Sequence, residues 1–138
     1  MRKGLLVLLA FVCLTATNAG AAEPKHDVFK GKLFAPNVIL QNQDELSLSK
    51  QQFTEIRGAV VKVQGNVAEH EWDIAEAYQN IMAELDKSPI DEAQVLEYVE
   101  AALRAENEVK KLQVAMLVRL KNLLTDEQIA YLESVRDK

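Results

Sequence analysis

The stretch "DKSPIDEAQ", Asp86 to Gln94, breaks a helical pattern that otherwise runs from Lys50 to Leu123. Ser88 is a residue type that caps helices, Pro89 suits a first helical position where a missing N–H is harmless, and Asp91 and Glu92 suit a first turn. The stretch therefore predicts a stop and a restart, with the second helix beginning at Pro89. A short turn between two long helices makes them antiparallel neighbours.

Upstream, Lys50 to Lys87 contains no proline, and Phe53, Ile56, Val60, Val63, Val67, Ile74, Ala77 and Ile81 recur mostly at spacings of three and four. That is the stripe of an amphipathic helix. Gly58 and Gly65 inside it each cost about 1 kcal/mol relative to alanine and suggest local bending or a close backbone approach. Downstream, Val95, Leu96, Val99, Leu103, Val109, Leu112, Met116, Leu120 and Leu123 form a second stripe. Each helix, at about 35 residues, would extend roughly 50 Å. With the turn centred near Ser88, the register predicts Phe53 opposite Leu123, Ile56 opposite Leu120, Val60 opposite Met116 and Val63 opposite Leu112.

The same phrase opens the helices at both far ends. In "LSLSKQQ" Ser49 and Gln52 stand three apart, as do Thr125 and Gln128 in "LLTDEQ". Each pair has the form of a capping box, in which the hydroxyl accepts from the backbone N–H three residues on and the glutamine reaches back to the first N–H. The hairpin should bring both phrases to one end, with Phe53 and Leu123 packed beneath them. A short helix from Pro36 to about Glu45 precedes the pair, and a last one runs from Thr125 through Val135. The fold class is all-α: a long antiparallel helical hairpin with short flanking helices. One layer of two helices buries one face of each, so a homodimer is expected to cover the rest.

At the N-terminus, Arg2 and Lys3, the apolar run Gly4 to Leu14 and the small residues ending in Ala21-Ala22 have the form of a cleavable secretory signal, residues 1–22, with cleavage after Ala21 or Ala22. Residues 23–32 read as a flexible arm and 33–138 as the helical domain. Losing Arg2 and Lys3 would take the formal net charge from −5 to −7. That disfavours nucleic acid and anionic membranes, and no stable membrane insertion is expected. Cys13, the single cysteine, lies in the signal, so the exported chain would carry no thiol.

Chemistry-bearing residues are few. No nucleophile-elbow serine is present, and the two histidines are His26 and His70; no enzyme is expected. His70 lies on the inward stripe, and the register sets it opposite Ala105 and Glu106. It reads either as a partly buried histidine–carboxylate hydrogen bond, or two side chains that turn aside to water, or as the start of a transition-metal site with Glu106, Asp73 or Glu69, His26 and a second subunit. Trp72 is either a half-buried anchor or part of an exposed binding surface. Lys110, Lys111, Arg119 and Lys121 offer a basic patch flanked by apolar residues.

The twin phrases Leu48-Ser49-Lys50-Gln51-Gln52 and Leu124-Thr125-Asp126-Glu127-Gln128, bracketing a helical hairpin behind a signal peptide, resemble the LTxxQ motifs of the Spy/CpxP family. The similarity covers roughly 33–135. It implies a cradle-shaped periplasmic dimer that acts as an ATP-independent chaperone for unfolded envelope proteins or as the partner of a membrane stress sensor. Its alternative is a sensor or buffer of zinc, nickel, cobalt or copper, as in the heavy-metal-resistance relatives. Metal-sensing members carry histidines where this chain has Gln41-Asn42-Gln43 and Leu112-Gln113, which leaves His70, Glu106 and His26 as the ligands to consider.

Overall fold

The computed structural model describes Phe29 and residues 31–136; the expected signal peptide, most of the arm and His26 lie outside the described residues. Within them the chain forms α1 (Pro36–Gln41), α2 (Lys50–Leu85), α3 (Glu92–Asn122) and α4 (Asp126–Arg136). The expected all-α hairpin is the architecture found: α2 and α3 pack against each other along their lengths. Their 36 and 31 residues correspond to roughly 54 Å and 46 Å of helix. No helix among the described residues is long and apolar enough to cross a membrane.

The turn differs in detail from its sequence reading. Asp91, rather than Ser88, is the N-cap of α3, with its carboxylate accepting from Gln94 N–H at 3.1 Å. Pro89 is not in the helix; it follows a cis Ser88–Pro89 peptide in the connection, and α3 starts three residues later than expected. Both candidates are good caps, and Asp91 has the advantage of a carboxylate at the positive end of the dipole. At the other end of the domain α1 begins at Pro36 as expected but stops at Gln41, short of Glu45. Asn42 Nδ2 donates to Val38 O at 2.8 Å, ending the helix. Turns through Ser47, at φ 49°, then carry Leu46 into the core.

The core sits at the open end of the hairpin. Phe34, Ile39 and Leu46 from the α1 segment, Ile56 and Ala59 from α2, Leu120 and Leu124 around the end of α3, and Leu132 from α4 form one buried cluster. Toward the turn the seam is narrower and built on small residues, with Ala77, Ala102 and Ala105 buried together with Ile81. Leu96 and Leu103, expected in the inward stripe, are exposed instead, because alanines hold the seam and the leucines flank it. Phe53 is likewise 38% exposed rather than packed under the twin phrases. Gly58 and Gly65 lie in unbroken helix, and a Cβ at either would meet nothing within 4 Å, so no close approach explains them.

Candidate functional site

The twin phrases meet, and they do so through their glutamines. In each, the capping box is complete: Gln52 N–H donates to Ser49 Oγ and Ser49 N–H to Gln52 Oε1, both at 3.0 Å. Gln128 N–H donates to Thr125 Oγ1 at 3.2 Å and Thr125 N–H to Gln128 Oε1 at 2.9 Å. The amide nitrogens then reach across the chain. Gln52 Nε2 donates to Gln128 Oε1 at 2.8 Å and to Leu123 O at 2.9 Å, while Gln128 Nε2 donates to Leu46 O at 3.0 Å. Leu48 is partly buried against the core and Leu124 fully so. This end is a clasp: its polar groups are consumed by one another, leaving little with which to bind a ligand.

His70 is placed differently from its sequence reading. It does not pair with Glu106, whose Oε1 instead accepts from Tyr78 Oη at 2.9 Å. His70 Nδ1 lies 3.5 Å from Asp73 Oδ2 on its own helix. Opposite it stand Ala101, Arg104, Ala105 and Glu108, which share with it an open groove of about 210 Å³. The register puts Ala105 across from His70 as expected; the carboxylate on that side is Glu108, because Glu106 lies one residue further round α3 and emerges on the other side of the pair. Lys111 holds Glu108 by a hydrogen bond at 2.8 Å and keeps its carboxyl below the ordinary value. Among the described residues no group of three or more His, Cys, Asp or Glu side chains is arranged to hold a metal ion.

The four basic residues do not make one patch. Lys121 is committed to the fold: its Nζ donates to Lys32 O at 2.7 Å and sits over the Phe34 ring. Lys111 is paired with Glu108. Lys110 and Lys111 line a shallow groove with Asn107, Val114, Ala115 and Phe29. Arg119, at about 100° per residue, lies on a different side of α3 from Lys110 and Lys121.

The surface that stands out is apolar. Trp72 is 79% exposed, Met82 62%, Leu103 51% and Tyr78 49%, and Val61, Leu85 and Leu96 are exposed with them. Of the two readings of Trp72, the exposed one is the arrangement found. Exposed Leu96 and Leu103 escaped the sequence reading because both sit at helical spacing from true seam residues; the signal that could have found them was the neighbouring run of alanines. Comparison of the chain with protein-family models, with curated proteins and with solved structures found no match.

Proposed function

We propose that the chain is an exported, non-enzymatic stress protein of the Spy/CpxP type, which binds unfolded or partner proteins through the hairpin beyond the clasp. The observation that carries this reading is the set of large apolar side chains exposed along one face of a two-helix layer, Tyr78, Met82, Leu96 and Leu103. Large exposed apolar side chains gathered on one face mark interaction sites. The twin LTxxQ-like phrases and the leader-like N-terminus supply the family and the periplasmic location within the proposal. A homodimer belongs to it as well: Val61, Ala68, Trp72 and Ala75 fall on the outer side of α2 at spacings of seven, four and three, the seam of a helix pair.

Mixing the purified protein with an aggregating client and following light scattering tests the reading. Suppression of scattering that is lost in Met82→Asp or Leu103→Asp supports it, and no suppression at any ratio overturns it. Divalent-metal binding is the second reading, favoured by the His70–Asp73 pair on the groove shared with Glu108. A second chain or His26 would have to complete the ligand set. Calorimetric titration with zinc, nickel, cobalt and copper decides it, and heat that is absent or unchanged in His70→Ala removes it.

A further inference from the structure

At about 100° per residue the side chains of α2 and α3 sort into two faces on either side of their seam. The groove shared by His70, Asp73, Arg104 and Glu108 marks one face. The Tyr78–Glu106 hydrogen bond crosses the other. Between Gly58 and Val109 the Lys and Arg residues are Lys62, Lys87 and Arg104. All three turn toward the first face or the outside, and two are already held, Lys87 by Glu84 and Arg104 by Glu100. The second face, on which Ile74, Tyr78, Met82, Leu85, Val99 and Leu103 lie, carries Glu71, Glu92 and Glu106 as its charges over the same span, and Lys110, one helical turn beyond Glu106, bounds it on the side of the clasp. Glu71 and Glu92 are exposed, and neither has an ion pair among the described residues.

An apolar strip whose rim is acidic from the turn as far as Glu106 discriminates between partners of similar hydrophobicity. An apolar segment flanked by Lys or Arg gains apolar burial and charge complementarity together, while one flanked by acids meets like charge at Glu71, Glu92 and Glu106. A second copy of the same face would also set acid against acid. We propose that this acid-rimmed face docks a cationic amphipathic segment of a partner protein, apolar along one side and basic along its flanks. The proposal deepens the client-binding reading and rests on it.

The test is fluorescence anisotropy of the purified protein with two labelled amphipathic peptides of matched length, one of leucine and lysine and one of leucine and glutamate. The Leu/Lys peptide is expected to bind at least about tenfold tighter at low salt, with the advantage shrinking as salt is added. The double variant Glu71→Lys, Glu92→Lys, whose fold is checked by circular dichroism, should remove or reverse the preference. Leu103→Asp should weaken both peptides. Equal binding of the two peptides, or a preference that survives the double charge reversal, overturns the proposal while leaving client binding in general intact. Sedimentation showing that Leu103→Asp or the double variant changes the oligomeric state would place a second copy on this face and overturn it too. If scattering is not suppressed but the peptide preference holds, the chaperone reading has failed and the docking face has not.

Discussion

A capping box accepts Glu as readily as Gln at its last position, since only the side-chain oxygen is needed to receive the first N–H. This clasp needs Gln, because Gln128 Nε2 donates to Leu46 O and Gln52 Nε2 to Leu123 O, and a carboxylate would turn those donors into repelling acceptors. Gln128→Glu is therefore expected to cost about 2–3 kcal/mol in urea unfolding, more than the about 1 kcal/mol of Thr125→Ala, which removes only a cap. Equal losses for the two variants would mean that the cross-chain bonds contribute nothing. Titration adds a second residue-level expectation. The Glu106 carboxylate raises the Tyr78 hydroxyl above 10.0, and that of Glu84 raises the Lys87 ammonium above 10.5. Both folded values lie above the unfolded ones, so the stability they supply is complete below about pH 10 and is lost as pH rises through the folded values. Thermal melts on the alkaline side should accordingly fall less steeply in a Tyr78→Phe, Lys87→Met variant than in the wild type.

Among the elements, the hairpin and its approximate register were readable because long, strongly periodic stripes leave few alternatives: Gln52 does reach Leu123, and Ile56 and Leu120 are buried together. Which side chains face inward was less readable. Leu103 and Ala102 are adjacent in sequence, and the stripe assigned the larger one to the seam, whereas close approach of two helices selects the smaller. The start of α3 failed for a related reason, since two acceptable caps lie three residues apart and only the path of the connection chooses Asp91. Asp91→Ala should thus cost about 1 kcal/mol and Ser88→Ala no more than about 0.5 kcal/mol in chemical denaturation; the reverse order would restore Ser88 as the cap. In α2, Gly65→Ala has open space around the new methyl and should stabilise the protein by roughly 0.5–1 kcal/mol. A loss of stability there would mean that the outer side of α2 is covered in solution.

For the molecule as a whole, the buried apolar volume is gathered at one end while the surface proposed for binding lies toward the other. Phe34, Ile39, Ile56, Leu120 and Leu132 lock α1 and α4 over the clasp, whereas the turn end has little more than an alanine seam with Ile81 and the Glu84–Lys87 pair. A chain built this way should open from the turn end first, because local unfolding follows the density of buried contacts. Native-state hydrogen exchange checks this. Amides of α2 near Ile56 and of α3 near Leu120 should exchange only with global unfolding, and Leu120→Ala should lower that limit by about 2–5 kcal/mol. Amides near Ile81 and Ala102 should exchange through smaller openings and be barely affected by Leu120→Ala. Docking of a partner on the acid-rimmed face would slow the second group and leave the first unchanged. Uniform protection along both helices in the absence of any partner would show that the turn end is already covered, by a second copy of the chain.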